Sequence, residues 1–295
     1  GKDMKESEMI ERLNALIRER DPDVIEGHNL FRFDLEYIQA RAKRYGVKLL
    51  WGKGGEPMES HPSRMQIGER SITYTKFEIF GRHTVDTFIL VQHYDIATRE
   101  LESLGLKEVA VHFGIASKDR TYVAADQINR AYEKEPEKLR EYNLDDVRET
   151  RKLSDILLPS YFVQAQIFPL SFQNTMLRGN AVKIDSLFLR EYLHRGHSLP
   201  LASPAAPIQG GTTDILFHGI AKNVLHCDIT SLYPSVMLVH RCFPKSDELG
   251  VFPALLEDLR AFRVRSKEQA KSASDPRSGT TPTPLARSRR RSSDS

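Results

Sequence analysis

Three short clusters in this chain place carboxylates beside hydroxyl, amide or aromatic partners at spacings that chemistry can use. The run Asp228-Ile229-Thr230-Ser231-Leu232-Tyr233-Pro234-Ser235 follows the apolar residues Val224, Leu225 and Cys227 and opens a helical pattern through Met237 and Val239. A carboxylate at a strand end can hold Mg²⁺ through oxygen, and the free N–H groups of the following helix can receive phosphate oxygens. Tyr233, one turn on, would lay a flat ring beneath a sugar. A capping Asp and a buried Tyr would leave the same pattern. In the second cluster, Gly27-His28-Asn29-Leu30-Phe31-Arg32-Phe33-Asp34, Asn29 ends a strand and Asp34 starts a helix, so both can face one cleft. Asn and Asp at such junctions are also ordinary caps. In the third, Tyr142-Asn143-Leu144-Asp145-Asp146, Tyr142 and Asp146 are four apart and share a helix face;. Asp146 can then bind a metal while the Tyr142 phenol orients an attacking water. The competing reading is an acidic helix surface, and Asp145 is assigned to it.

The eight residues from Asp228 to Ser235 closely resemble motif A of the B-family DNA-directed DNA polymerases. The other two clusters resemble the family's second and third exonuclease motifs, Asn-x-x-x-Phe-Asp and Tyr-x-x-x-Asp, and all three stand in the family's order. Phe80–Asp86 and Leu101–Leu106 resemble the intervening strand and helix, so the likeness runs over roughly residues 8–265, and it looks most similar to the bacterial branch. It implies an α/β chain. Residues 1–160 would form a ribonuclease-H-like 3′–5′ exonuclease fold, a central mixed sheet lacking its first strand or strands. Residues 161–265 would hold linker helices and the beginning of a polymerase palm. The resemblance makes Asp34, Tyr142, Asp146 and Asp228 catalytic, with Asp34, Asp146 and Asp228 ligating Mg²⁺ in two-metal sites. It assigns triphosphate binding to the backbone around Ile229, Ser231 and Leu232, and exclusion of a ribose 2′-OH to Tyr233. It also implies contacts to DNA from Asn29 and Phe33, and from Gly210 and Gly211, which lie where the family guides single-stranded template. The implied partners are primer–template DNA, single-stranded DNA and deoxynucleoside triphosphates.

The departures from the family pattern matter equally. The first exonuclease motif, Asp-x-Glu, does not precede Asn29, and Asp95-Ile96-Ala97 lacks the Glu and lies on the wrong side. Ile208-Gln209 stands where the family has Tyr-x before two glycines, and neither the finger-helix motif nor Asp-Thr-Asp follows motif A. Each site is therefore expected to be short of carboxylates, and the chain, which opens on Gly1, is expected to be an inactive piece of a longer polymerase. Two other readings stand beside it. A free-standing 3′–5′ exonuclease is disfavoured by the missing Asp-x-Glu and by motif A, while a non-catalytic DNA-binding remnant is permitted by the missing ligands.

The elements that must position these residues follow from periodicity. Helical spacing predicts helices over 6–20, 34–45, 99–112, 124–134, 136–158, 160–178 and 181–195;. Residues 23–29, 78–87 (broken at Gly81), 213–218 and 222–228 read as strands, and 198–211 as a loop. Strand–helix alternation argues for α/β layers. The helical pattern of Leu255, Leu256, Leu259 and Phe262 stops near Lys271, and a Ser/Pro/Arg-rich tail over 266–295 is expected to be disordered or aberrant, with a nucleic-acid-binding tail as the alternative;.

Composition adds bounds rather than identity. The net charge of +3 is carried by the tail: residues 266–295 hold seven Lys/Arg and three Asp/Glu, leaving −1 for the rest, so any nucleic-acid surface must come from local charge placement;. No run reaches the ~20 apolar residues of a membrane span, and two cysteines without a CxxC pair point to a reducing cytoplasm;.

Overall fold

The computed structural model describes residues 4–68, 70–117, 119–201, 214–215, 217–225, 227, 229 and 231–273. Asp228, Gly210, Gly211 and residues 274–295 lie outside them.

Ile10, Leu13 and Ile17 recur at helical spacing, and helix α1 (Glu6–Arg20) turns Ile10 and Ile17 into the interior;. Asp21 ends it in the left-handed conformation, and Pro22 blocks its continuation;. Strand β1 (Val24–Gly27) follows, then a π-helical turn Leu30–Asp34 that runs directly into α2 (Leu35–Arg44). Strands β2 (Glu59–Ile67) and β3 (Arg70–Glu78) form an antiparallel hairpin in register from Glu59↔Glu78 to Ile67↔Arg70. Strand β4 (His83–Asp86) pairs parallel to β1, from Val24↔His83 to Gly27↔Asp86.

The segment expected as one broken strand over 78–87 is thus two strands that belong to different sheets. Glu78 ends β3, Gly81 turns the chain at φ +71°, and Thr87 already starts α3 (Thr87–Thr98). Both the hairpin and α3 lie outside the elements read from periodicity. The outer half of β2 faces solvent on both sides and carries no alternation, and α3 buries four consecutive residues, Ile89–Gln92, which leaves no apolar stripe;. The helix expected from residue 99 begins only at α4 (Leu106–His112). Helices α5 (Ile128–Lys134), α6 (Pro136–Leu157) and α9 (Asn180–His194) fall where helical spacing places them, while the helix expected over 160–178 is two, α7 (Pro159–Ile167) and α8 (Phe172–Leu177), parted where Phe168 turns extended and Ser171 caps α8.

The chain forms two compact units, residues 1–187 and 188–295. The first continues past residue 160, because α7 packs on α6 and α8 on β4. Its interior holds two apolar clusters. One centres on Phe31, Leu35, Trp51 and Phe77 from the π-turn, α2, the segment between α2 and β2, and the hairpin; the other centres on Val85, Leu90, Val109 and Leu153 from β4, α3, α4 and α6.

In the second unit, α10 (Leu232–Val239) packs on α11 (Val251–Ala273). Tyr192 donates to Asp247 (2.7 Å), whose other oxygen accepts the Phe252 amide (2.6 Å) at the start of α11. The strands expected over 213–218 and 222–228 do not form among the described residues. Val224 and Leu225 are 72% and 86% exposed, and a strand without a neighbour leaves its backbone unpaired;.

Candidate functional site

Asp86 organises the second cluster. It closes β4 and caps α3 by accepting the Phe88 amide (3.0 Å), and it reaches across to accept the amides of Asn29 (2.8 Å) and Phe31 (3.0 Å). The chain leaving β1 is thereby folded back: Asn29 takes φ 68°, ψ 31°, and the π-turn swings Asp34 to the foot of α2. Burial pushes the Asp86 carboxyl up to about 6, while the amides of Phe31, Phe88 and Asn29 oppose that rise by favouring the ionised form;. His28 is pinned beside it, with one ring nitrogen on Thr87 Oγ1 (2.9 Å) and the other on the Leu104 carbonyl (3.1 Å).

The Asp34 side chain makes no capping bond to α2, so the cap reading of this residue does not hold. Its carboxyl is half-buried and pushed above the usual range by that burial. Neither does Asn29 cap with its side chain. Phe33, the residue before Asp34, is 63% exposed.

On α6 the third cluster sits as spacing predicts, with Tyr142 and Asp146 four residues apart on one helix;. Burial raises the Asp146 carboxyl, against the opposing pull of Arg120, Lys107 and Tyr142. Arg120 donates from Nη2 to Asp146 Oδ1 at 2.5 Å and from Nη1 to Glu149. Both Arg120 and Glu149 side chains are only 2% exposed. Arg120 stacks at 5.2 Å on Tyr122, and Lys107 Nζ lies 4.9 Å from the Tyr142 ring centroid. Asp145, assigned to an acidic surface, is instead buried: it accepts the Thr121 amide at 3.0 Å, which with Arg148 holds its carboxyl below the usual range.

Sequence reasoning missed Asp86, Arg120, Lys107 and Glu149. A carboxylate between a short apolar strand and a helix start was a legible cap signal for Asp86. Arg120 sits in an irregular segment with no periodicity to single it out.

The residues do not amount to a two-ion centre. Among the described residues no group of three or more His, Cys, Asp or Glu side chains could hold a metal ion, and one of the two candidate carboxylates, Asp146, already has a guanidinium on an oxygen.

Around motif A, Ser231 adopts φ 54°, ψ 50° just before α10, and its hydroxyl accepts from Arg263 (2.8 Å). Tyr233 is 75% exposed, not buried, and Ile229 and Leu232 are exposed as well. Asp228, Gly210 and Gly211 are outside the described residues.

Residues 4–109 match the family described as DNA polymerase family B, exonuclease domain. Among known proteins the chain is similar to the DNA polymerases of Thermococcus litoralis (27% identical, 92% of this chain, 17% of that protein) and Pyrococcus glycovorans (28%, 92% and 37%). It spans well under half the length of these relatives. Its fold superposes on the family B DNA polymerase of Pyrobaculum calidifontis with a TM-score of 0.62 at 23% identity, over 96% of this chain and 39% of that one. The chain is therefore homologous to family B DNA polymerases and has their mixed α/β, ribonuclease-H-like exonuclease fold. These relatives are archaeal, which corrects the bacterial assignment.

Proposed function

We propose that this chain, an archaeal-type family B homologue, carries the 3′–5′ exonuclease part of a DNA-directed DNA polymerase together with the motif A segment of its palm. The observation that supports this best is the Asn29–Asp34 turn. A half-buried carboxylate is presented without a capping role by a turn that Asp86 holds through the amides of Asn29 and Phe31, inside the segment homologous to the exonuclease domain.

In this reading Asp34 and Asp146 are the acidic residues of the hydrolytic site, and Tyr142, one helical turn before Asp146, orients the attacking water. Asn29 and Phe33 contact the single strand, and Gly210 and Gly211 guide template. Asp228 is the acid of the synthetic site, the backbone of Ile229, Ser231 and Leu232 receives the triphosphate, and Tyr233 excludes ribose. The substrates are primer–template and single-stranded DNA and deoxynucleoside triphosphates, and the compartment is the cytoplasm. No helix among the described residues is long and apolar enough to cross a membrane. Mg²⁺ is the cofactor the reading calls for. Asp34 and Asp146 are too few to hold two ions, so the chain is expected to lack hydrolytic activity in isolation.

Arg120 on Asp146 favours a second reading, a non-catalytic DNA-binding module, because a cation is already seated on the carboxylate that hydrolysis needs. Mn²⁺ titration followed by electron paramagnetic resonance tests the first. Weak binding that falls further in Asp34→Ala and in Asp146→Ala supports it. Binding indifferent to both substitutions removes the exonuclease assignment.

A further inference from the structure

We propose that the outer edge of β1 pairs with the same edge of a second copy of this chain, about a twofold axis at Ile25. This goes beyond the exonuclease reading and does not depend on it.

Strand β1 has β4 as its one neighbour among the described residues. The His83 amide donates to the Asp23 carbonyl (2.9 Å) and the Thr87 hydroxyl to the Gly27 carbonyl (3.2 Å), so odd-numbered residues turn their backbone groups toward β4. Alternation then leaves the N–H and C=O groups of Val24 and Glu26 facing outward. Burial agrees. Thr84, Val85 and Asp86 of β4 are buried, whereas Val24 is exposed and Ile25, Glu26 and Gly27 are half-buried. An edge of this kind is a template for another strand, and charge is one device that blunts it. Glu26, the only charged side chain on β1, is instead matched by Arg151 at 3.5 Å.

The edge is complementary to itself. Antiparallel pairing centred on Ile25 sets Val24 against Glu26 of the second copy, and each such pair exchanges both of its hydrogen bonds. A two-stranded sheet, marginal by itself, becomes continuous with its copy;. The same rotation lays the two α6 helices antiparallel on one face. Helix α6 borders the edge there: Ser154 and Leu158 line a cavity of about 510 Å³ together with Val24, Glu26 and Phe162. On its rim, Arg151 and Asp155 stand one turn apart with opposite charges and with side chains 68% and 59% exposed;. An antiparallel second α6 brings Arg151 opposite Asp155 and Asp155 opposite Arg151, the reciprocal contact of an isologous interface.

The experiment is sedimentation velocity of the full chain over a concentration series, joined to oxidative cross-linking. The wild type should show a monomer–dimer equilibrium. Val24→Pro removes an outward N–H, and Pro is tolerated at the first residue of an edge strand, so circular dichroism should be unchanged. It should weaken the dimer by roughly five- to 150-fold, the worth of one hydrogen bond from each copy. Val24→Thr keeps the N–H and should dimerise like the wild type. Arg151→Asp should weaken association, and adding Asp155→Arg should restore it. With Cys227 and Cys242, both exposed, replaced by Ser, Ile25→Cys should form a disulfide-linked dimer on oxidation. The Cα atoms of such a pair lie about 4.5 Å apart, within reach of a disulfide. A wild type that stays monomeric throughout the series overturns the proposal. So does association that persists in Val24→Pro while Ile25→Cys gives no cross-link, which would belong to the exposed apolar residues of the second unit.

Discussion

Replacing Arg120 with Met should destabilise the first unit by about 3–5 kcal/mol, because it strands the Glu149 carboxylate in the interior. The geometry sets that figure. Both side chains are 2% exposed, so water cannot take over from the lost partner. The pair is also imperfect: Arg120 Nε and Glu149 Oε1 are buried without a hydrogen-bond partner, and each such atom costs about 1–3 kcal/mol;. The double replacement Arg120→Met with Glu149→Leu removes both charges and both unpaired atoms, so it should be neutral or stabilising by about 1–4 kcal/mol. For a unit of this size the single variant should melt roughly 6–20 °C lower, read by circular dichroism and by urea titration. The same pair bears on function. Nη2 of Arg120 occupies Asp146 Oδ1, so the double variant should bind Mn²⁺ more tightly than the wild type. A single variant as stable as the wild type, or a double variant as unstable as the single, would refute the buried-pair reasoning. Unchanged Mn²⁺ affinity in a folded double variant would refute the competition between guanidinium and metal.

Three further outcomes are expected. Asp86 is pushed up to about 6 from an ordinary 3.8. Its protonation therefore contributes about 3 kcal/mol that is fully present below pH ~3.8 and lost as pH rises through about 6. Asp86→Asn should abolish that part of the pH dependence of urea midpoints. It should also cost about 1–3 kcal/mol at neutral pH, since one amide oxygen cannot accept the three N–H groups that two carboxylate oxygens accept; an unchanged slope between pH 4 and 6 would contradict this. In a polymerase carrying this motif A segment, Tyr233→Ala should admit ribonucleotides far more readily in a primer-extension assay, and unaltered sugar discrimination would remove the gate assignment. Val224, Leu225, Tyr233 and Val239 of the second unit are all more than 70% exposed, and apolar surface of this kind promotes association. Light scattering should show concentration-dependent self-association, and a monodisperse monomer would count against it.

Local spacing was enough to locate α1, α2, α6 and α9, because each buries one stripe and leaves a periodic record in the chain;. The same spacing put Tyr142 and Asp146 on one face, and the order of short motifs pointed to the polymerase family. What it could not supply were properties created by neighbours distant in sequence. Asp86 matters because three amides converge on it, two of them more than fifty residues away. Arg120 reaches Asp146 and Glu149 from an irregular segment 26 and 29 residues upstream. Asp145 reads as surface by charge and is buried because the Thr121 amide meets it. Apolar character at 222–225 suggested a strand, but strand formation needs a second backbone to bond to, and none of the described strands lies in that unit;. Helices satisfy their own backbone and so are written locally. Strand pairing, buried charge and the state of a carboxylate depend on what the fold brings alongside, and that is a property of the packed chain.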